Sequence, residues 1–482
     1  MISSRLLSTK LRRRLAPIAL CLAAIGCAHA QSAKLMIDSS KGEVAPLSSK
    51  AQSALRRVQS DPFATGVTVT HLDSRAFYSN IISITVGGQD LTFVKQGSSE
   101  TTPDGSTVWI GKGDKYATAL FSINAGQVTG SIRTTKGVYQ ITPLEGDAHA
   151  ITLLRQPEIK DEPEHKEDLK PTPAASSTSE KVSYTEAESR LLSLAPSSAA
   201  TSAAVTNPPV RLLIAYTSRA LSVYGSVAAL QQQVNTAIAG ITSANQSDGV
   251  SFRPQQAGNL LPVTYTGSAD ATSALAAFTG MPDVTAAHDS QAADLMIMLD
   301  DLSANSESGA SQAINATAAN AYAVVAVRFM VSNLGLAHEV GHLMGADHPQ
   351  ADTSQNVFRF GHGYWWWSQL SLDSSVSFCS HTIMSYYISQ SRNVGLTSVG
   401  QPPQCENDNR LDNWSSPNYY VNLNEAGMRL MGVANSNDNA QVLNITGPVV
   451  TNFHLTALKS SGPPRTGPPK PPNCSTNPRL CA

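Results

Sequence analysis

Charged side chains are scarce in this chain. Asp, Glu, Lys and Arg make up 15% of its 482 residues, and the formal net charge is −2; an average soluble domain is roughly 25% charged. Nucleic acids and anionic membrane surfaces are bound through clustered basic groups, so this balance argues against either as the main partner. The length suits two or three domains, each with its own core.

Long apolar runs are lacking too. Residues 15–25 are apolar and follow a basic start, but the run is shorter than the roughly 20 apolar residues that span a bilayer. It has the length of a signal-peptide core, and an A-x-A site ends at residue 30, so residues 1–30 are predicted to be a signal peptide. Residues 24–27 loosely match a lipobox, which leaves lipid anchoring at Cys27 as the alternative. No later segment is apolar enough for stable membrane insertion, and we expect a secreted protein, extracellular or periplasmic.

Cysteine is missing between Cys27 and Cys379. The four cysteines after the leader lie in the last quarter of the chain: Cys379, Cys405, Cys474 and Cys481. An even number in an oxidising compartment predicts two disulfides. Proximity favours Cys379–Cys405 and Cys474–Cys481, and the other two pairings stay open.

Composition divides the rest of the chain into four parts. Residues 31–156 contain short runs of Val, Ile, Thr and aromatic residues between turn signals, which predicts a compact antiparallel β-rich domain. Residues 157–208 are charged, Pro-rich or small and polar, which predicts an exposed linker with a processing site. Residues 209–458 alternate strands and helices, which predicts an α/β fold. Residues 459–482 form a Pro-rich tail.

Within the α/β part, apolar runs and helical spacing predict the main elements. The predicted strands are residues 210–217, 250–253, 260–265, 295–299 and 322–329. The predicted helices are residues 227–244, 270–278, 283–293 and 334–344.

The segment AHEVGHLMGADHPQ carries the pattern H-E-x-x-H-x-x-G-x-x-H. Positions i and i+4 of a helix share a face, so His338 and His342 can direct two imidazoles at one metal ion. Gly345 tolerates the left-handed backbone with which the helix must end for His348 to reach that ion. Three neutral imidazoles leave a coordination position open, which is typical of catalytic zinc. Glu339, beside the ion, is the predicted general base for attack of water on a peptide carbonyl.

A second motif, HTIMSYY, follows downstream. The long histidine motif followed by such a turn resembles the metzincin clan of metalloproteases. The resemblance implies that Met384 packs beneath the histidines and that Tyr386 stabilises the oxyanion, as a phenol near zinc can; a packed core tyrosine is the alternative. It also implies a catalytic domain with a twisted mixed sheet, an active-site helix and a small C-terminal subdomain, preceded by a β-rich propeptide.

The residue after the third histidine separates the metzincin families. Pro349 is typical of serralysins, whereas reprolysin-like enzymes carry Asp there. No G-G-x-G-x-D calcium-binding repeat of the serralysins occurs in this chain. Three stretches, residues 104–111, 212–217 and 293–299, resemble exported bacterial zinc proteases of reprolysin-like type, including the peptidyl-Asp metalloendopeptidase group.

This resemblance implies a secreted zinc endopeptidase, made as a zymogen, which acts as a monomer on protein or peptide substrates; calcium is left open as a second metal. The predicted propeptide has no cysteine that could hold the zinc. One hypothesis for latency is that a carboxylate or histidine in residues 158–168, with His165 as the candidate, blocks the metal. The alternative is that this segment is only a solvated linker. The strand before the active-site helix, residues 322–329, is expected to be the sheet edge that pairs with substrate.

Two rival functions and one unusual stretch remain. A secreted zinc-binding adhesin or effector without proteolysis would have no use for Glu339, and a serralysin-type protease would fold only with calcium. Residues 365–367 are three consecutive tryptophans, which predicts either an aromatic subsite or a plug for the C-terminal subdomain. His362 is expected to be structural.

Overall fold

The computed structural model describes residues 32–36, 46–113, 116–155, 209–302, 308–349, 357–369, 376–385, 404–422 and 428–456. The predicted signal peptide, the linker with His165, and the Pro-rich tail with its two cysteines lie outside these residues, and so does Tyr386. No helix in the described ranges is both long and apolar enough to cross a membrane.

The N-terminal domain, residues 32–155, is built on one sheet. Its strands are β1 (Ala33–Lys34), β2 (Ala64–His71), β3 (Ile81–Val86), β4 (Gln89–Lys95), β5 (Glu100–Thr101), β6 (Thr107–Gly113), β7 (Ala117–Asn124), β8 (Gln127–Thr134), β9 (Gly137–Glu145) and β10 (Ala148–Leu154). They follow the order β1-β3-β4-β6-β7-β8-β9-β10-β2, with β5 beside β6. All pairs are antiparallel except β1 with β3. The sheet agrees with the predicted β-rich composition, and the role of this part as a propeptide stays a prediction.

The local sequence explains how these strands connect. The β7–β8 hairpin turns through Ala125 and Gly126, whose φ angles of 47° and 81° are both positive. Two central residues with positive φ are the type I′ geometry that matches strand twist in a tight hairpin. Phe93, Trp109 and Phe121 are completely buried on one face of the sheet. Helix α1 (Ser49–Gln59), capped by Ser48, packs against β9 and was not predicted.

The second sheet lies in residues 209–326. Its strands are β11 (Pro209–Tyr216), β12 (Arg253–Gln256), β13 (Leu261–Pro262), β14 (Leu295–Asp300), β15 (Gly309–Ser311) and β16 (Tyr322–Ala326). The order is β12-β11-β14-β16-β15, with β13 beside β11. Only β15 runs antiparallel to its neighbour. The strand predicted at residues 250–253 lies three residues later, as β12, and the one predicted at residues 260–265 is shortened to β13. β11, β14 and β16 occur where the apolar runs predict them, except that β16 ends at Ala326, three residues before its predicted end.

Helices flank this sheet. They are α2 (Ser218–Tyr224), α3 (Val227–Asp248), α4 (Ala271–Phe278), α5 (Pro282–Gln291), α6 (Gly335–Leu343) and, after the strands that follow, α7 (Asn439–Val450). The four predicted helices correspond to α3, α4, α5 and α6, whereas α2 and α7 were not predicted. Mixed strands and helices confirm the predicted α/β class.

The prediction that residues 322–329 form the exposed edge is wrong. β16 pairs with β14 on one side and with β15 on the other, so β15 is the outermost strand of the path among the described residues. β15 contains only Gly309, Ala310 and Ser311. Three small residues carry neither β propensity nor alternation, so no sequence pattern marked them as a strand.

Helix α3 lies between the N-terminal domain and α6. Ala239 of α3 clusters with Ile110 and Leu120 of the N-terminal sheet. One residue further, a Cβ added to Gly240 would stand 3.5 Å from Leu120 and 3.4 Å from Leu334, the residue before α6. The described residues from 32 onward form one compact unit, and α3 is the element through which its two sheets meet.

The C-terminal strands form two small sheets. They are β17 (Trp365–Gln369), β18 (Val376–His381) and β19 (Gln404–Arg410) in one, and β20 (Ser416–Asn422) and β21 (Met428–Met431) in the other. β18 and β19 are neighbours, with Ser377 opposite Cys405 in the register. This brings the backbones of Cys379 and Cys405 close, and their disulfide stays a prediction.

Trp366 is half-buried in a cluster with Tyr116, Leu411 and Met431. The Arg429 guanidinium lies 4.8 Å from the centre of its ring. Because Tyr116 belongs to the N-terminal domain, Trp366 fills the joint between the two parts of the chain. The contacts of Trp366 therefore favour the plug over the aromatic subsite.

Candidate metal centre and active site

Helix α6 presents the first two histidines of the motif. His338 and His342 are one turn apart and fully buried. The helix ends before Gly345, whose φ of +97° lies in the region that glycine adopts without strain. The chain then reverses and brings His348 back to the other two. The three Nε2 atoms are 3.1 Å (His338 to His342), 3.1 Å (His338 to His348) and 3.0 Å (His342 to His348) apart.

Backbone carbonyls determine which nitrogen of two of these rings carries the proton. His338 Nδ1 donates to the carbonyl oxygen of Ile383 at 2.8 Å, and His342 Nδ1 donates to that of Ala346 at 3.1 Å. A carbonyl can only accept, so each Nδ1 is protonated in the neutral ring and each Nε2 keeps its lone pair. Metal-ligating histidines are commonly oriented in this way.

The donor set therefore fits a metal ion. The rings of His338 and His342 are fixed by their carbonyl partners, and the lone pairs on their Nε2 atoms point towards Nε2 of His348 from about 3 Å. Such a convergence is repulsive unless a cation sits between the nitrogens. Histidines 338, 342 and 348 are also the only group of three or more potential ligands that converges within the described part of the chain. Three imidazoles suit zinc.

Glu339 is buried beside this cluster and is held from the edge of the sheet. Ser311 of β15 donates its hydroxyl to Oε2 of Glu339 at 2.6 Å. Gly309, two residues earlier, provides the space for the other oxygen, because a Cβ there would stand 2.7 Å from Oε1. The carboxylate therefore has one orientation, imposed by a strand that the sequence did not predict.

Met384 packs directly on α6. It is fully buried, and a Cβ added to Gly341 would stand 2.5 Å from its sulfur and 3.0 Å from the Trp414 ring. Gly341 is thus required for close approach of the turn, because an alanine there would collide with Met384. The turn itself closes through a hydrogen bond from Ser385 N to the Thr382 carbonyl at 2.9 Å.

His348 is supported by two neighbours. The carboxylate of Asp347 accepts from the amide of His348 at 2.7 Å. His362 Nδ1 donates to the carbonyl oxygen of His348 at 2.9 Å, and the His362 ring is buried. His362 therefore orients the loop that carries the third histidine, consistent with its expected structural role.

The structure thus gathers His338, His342, His348, Glu339 and Met384 in one place, while Tyr386 lies outside the described residues. Sequence reasoning missed Ser311, Gly309 and Gly341. For Gly341 a signal was available, since glycine inside a predicted helix is costly and often marks a close contact. For Gly309 and Ser311 there was none.

Comparison with known proteins agrees with this geometry. Residues 206–398, which contain the histidines and Met384, match the family model Reprolysin_5, described as metallo-peptidase family M12. The peptidyl-Asp metalloendopeptidase of Stenotrophomonas maltophilia (strain R551-3) is 25% identical over 426 residues, covering 84% of this chain and 90% of the relative. That of Xanthomonas campestris pv. campestris is 25% identical over 415 residues, covering 82% and 87%.

Solved structures resemble the chain only weakly. Metalloproteinase-II from Bacteroides fragilis is 14% identical, with a TM-score of 0.35 over 57% of this chain and 83% of that one. A likeness of this size supports no inference about the site.

Proposed function

We propose that this chain is a secreted endopeptidase, made as a zymogen, with Glu339 as its general base. The match of residues 206–398 to the M12 metallo-peptidase family and the similarity to peptidyl-Asp metalloendopeptidases support a reprolysin-like metallopeptidase of bacterial type. The chain is a zinc metalloendopeptidase. The observation that carries the mechanism is the convergence of three histidine nitrogens beside a carboxylate fixed by Ser311.

His338, His342 and His348 would hold the zinc. When bound, zinc supplies a Lewis acid that activates water and polarises a peptide carbonyl. The chain's own part is to keep the ligand nitrogens unprotonated and correctly aimed. The carbonyl oxygens of Ile383 and Ala346 do this by accepting from the opposite side of two rings.

Glu339 would take the proton of the attacking water and return it to the leaving amine. A carboxylate suits both steps only if it does not rotate away between them. The hydrogen bond from Ser311 prevents this rotation, and burial of the side chain excludes competing bulk water. Tyr386 is proposed to stabilise the oxyanion, and Met384 to support the histidines from below.

The outer edge of β15 is the proposed place for the substrate backbone. Ladder hydrogen bonds join Gln312 N to the Tyr322 carbonyl and Ala326 N to the Ser308 carbonyl. In an antiparallel pair such bonds alternate, so the backbone groups of Gly309 and Ser311 point away from β16. An extended peptide can pair with them, and this would place its backbone next to Glu339.

The N-terminal parts of the chain complete the proposal. Residues 1–30 would direct export, and residues 31–156 with the linker 157–208 would be the removable part of a zymogen. Zinc is the proposed cofactor, and protein or peptide chains are the proposed substrates. The relatives are named for peptidyl-Asp cleavage, so we propose a preference for aspartyl peptides as the first specificity to test.

The test is hydrolysis of casein and of a peptide library by the processed protein. Activity should disappear when a chelator removes zinc and return when zinc is restored, and cleavage sites in the library should cluster at aspartate. Zinc binding with no hydrolysis of any substrate would favour a binding protein instead. Activity and folding that depend on added calcium would favour a serralysin-type enzyme.

A further inference from the structure

A buried arginine of the N-terminal domain contacts the backbone of the catalytic part. Arg133, on β8, is 4% exposed. Its Nη1 donates to the carbonyl oxygen of Arg410 at 2.9 Å and its Nη2 to that of Ser332 at 2.8 Å. Removing a guanidinium from water is costly unless its donors are satisfied. Both contacts therefore matter for docking of the domain.

A second buried arginine continues the connection. Arg410, which offers its carbonyl to Arg133, donates its own Nη1 to the Asn333 carbonyl at 2.9 Å and its Nη2 to the Ser385 carbonyl at 2.8 Å. Ser385 belongs to the turn that contains Met384. The two guanidinium groups thus tie the N-terminal domain to both segments that frame the histidines, residues 332–334 and 382–385.

The first of these segments is strained. Leu334, immediately before α6, has a φ of +56°. This left-handed conformation is unfavourable for any residue other than glycine, because the Cβ approaches the following carbonyl oxygen. Its carbonyl accepts the amide of His338 at 2.9 Å, so the conformation of Leu334 sets where the helix and its first histidine begin. Such strain persists only where the surroundings hold it. The carbonyls of the two preceding residues are each held by an arginine.

A second docking point lies behind the other segment. Asp412 is fully buried; its Oδ1 accepts from Tyr116 Oη at 2.8 Å, and its Oδ2 accepts from Lys112 Nζ at 2.7 Å. Although burial opposes ionisation, Lys112 and Tyr116 hold the pKa of the Asp412 carboxyl below its usual value. The next residue, Asn413, accepts the amide of Ile383 at 2.9 Å. Within the catalytic part, Ser243 of α3 is the side-chain partner of this carboxylate.

We propose that Arg133 is a positioning residue of the metal site in the uncleaved chain: through Arg410 and the strained turn at Leu334, the docked N-terminal domain holds the histidines in their metal-binding arrangement until it is removed. The inference rests on the proposed function for the identity of the metal. It follows that loss of this contact loosens the site even when the N-terminal domain itself stays folded.

The experiment uses the full chain with Arg133→Met, which keeps an apolar stem and removes both donors, and Arg133→Lys, which keeps one charged donor. Arg75→Met is the matched control, because Arg75 lies in the same domain with its side chain 82% exposed. Zinc affinity is measured by chelator competition, and amide exchange is followed by mass spectrometry over residues 329–340, 381–385 and 117–134. The visible spectrum of the cobalt-loaded protein reports the geometry of the three histidines.

For Arg133→Met we expect the zinc dissociation constant to rise about tenfold, as for other residues that orient ligands indirectly. Exchange should accelerate at residues 329–340 and 381–385 but not at 117–134, and the cobalt spectrum should change. Arg133→Lys should recover part of each effect, and Arg75→Met should match the parent.

Unchanged zinc affinity and exchange in Arg133→Met would overturn the proposal. Equal acceleration at all three segments would also overturn it, because that result indicates a general folding role. If Arg133→Met does not fold, the same measurements on Arg133→Lys and Lys112→Met test the proposal. Both variants should weaken zinc binding and accelerate exchange at residues 329–340 and 381–385, by less than is expected for Arg133→Met. If Arg133→Met weakens zinc binding but the parent protein hydrolyses no peptide, the proposed function is rejected and this inference stands. If the parent hydrolyses peptides but Arg133→Met binds zinc as tightly as the parent, this inference alone is rejected.

Discussion

The hydroxyl of Ser311 lies 2.6 Å from Oε2 of Glu339, across 28 positions of sequence. This hydrogen bond joins the outermost strand of the sheet to the helix that carries the metal ligands. The strand proposed to bind the substrate backbone therefore also fixes the proposed base. The proposed substrate position and the proposed proton transfer would both depend on the same three-residue element, β15.

Ser311→Ala should lower kcat more than it raises KM. The variant removes a hydrogen bond to a buried carboxylate, and such bonds contribute about 1.5–3 kcal/mol. If that difference appears in the transition state, kcat falls about ten- to a hundredfold. Steady-state kinetics on one peptide substrate measures both constants. Ser222→Ala, an exposed serine on α2, is the control; equal kinetics for the two variants would contradict a positioning role for Ser311.

Gly341→Ala should destabilise the protein and weaken zinc binding. In a free helix this change gains about 1 kcal/mol. Here the added Cβ would stand 2.5 Å from the sulfur of Met384, and overpacking of this kind costs about 1–3 kcal/mol. Thermal unfolding and chelator competition are the measurements.

Gly240→Ala on α3 is the matched control for that prediction. Its added Cβ would meet Leu334 at 3.4 Å and Leu120 at 3.5 Å, which are ordinary contacts. It should leave zinc affinity unchanged and raise stability by up to about 1 kcal/mol. If the Gly341→Ala protein unfolds at the same temperature as the control and binds zinc with the same affinity, Met384 does not pack closely against α6.

Acid should loosen the N-terminal domain through His149. This ring is fully buried; its Nε2 accepts the amide of Val128 at 3.0 Å, and its Nδ1 donates to the Asp147 carbonyl at 2.7 Å. Burial lowers the pKa of His149 below its usual value, although Asp147 acts in the opposite direction. A protonated ring would set an N–H against the amide of Val128.

The sign of the pH effect follows from this shift. The unfolded histidine titrates near 6.5 and the folded one below it, so the unfolded chain binds the proton more readily in between. Stability from His149 is therefore present above about pH 6.5 and lost as the pH falls further. The protection of the amides in β8 and β10, measured as exchange corrected for its slower intrinsic rate in acid, should therefore fall from pH 7 to pH 5. It should fall less in His149→Gln, whose amide oxygen can still accept from Val128. Identical pH slopes for the two proteins would rule out His149 as the cause.

A disulfide between Cys379 and Cys405 is expected in the exported protein. The two residues lie on neighbouring strands, and Cys379 is fully buried. Peptide mapping without reduction should recover the linked pair, together with a Cys474–Cys481 pair from the tail. Free thiols at Cys379 and Cys405 in freshly secreted protein would refute the pairing.

The metal centre was predictable because its signal is local. Two histidines four residues apart share a helix face by geometry alone, and Gly345 with its positive φ explains how His348 returns to them. The strands β11, β14 and β16 were equally readable, since each contains an unbroken apolar run buried on both faces, at residues 212–216, 295–299 and 322–326.

What the sequence could not supply is the set of long-range contacts around that centre. The order of strands in a sheet does not follow their order in the chain, so the sequence predicts an edge at β16 where the structure has β15. Ser311 reaches Glu339, and Arg133 reaches Ser332, only through the tertiary fold. No spacing rule connects such pairs.

The central claim is that Glu339 is the general base of a zinc endopeptidase, and peptide hydrolysis by Glu339→Gln tests it most directly. The amide keeps the size of the side chain and an acceptor for Ser311 but cannot take a proton from water. Zinc content, measured on the same samples, should equal that of the parent, while kcat should fall by at least about a hundredfold, within the range that general acid–base catalysis contributes. A Glu339→Gln protein that holds zinc and cleaves peptide at the parental rate would contradict the account.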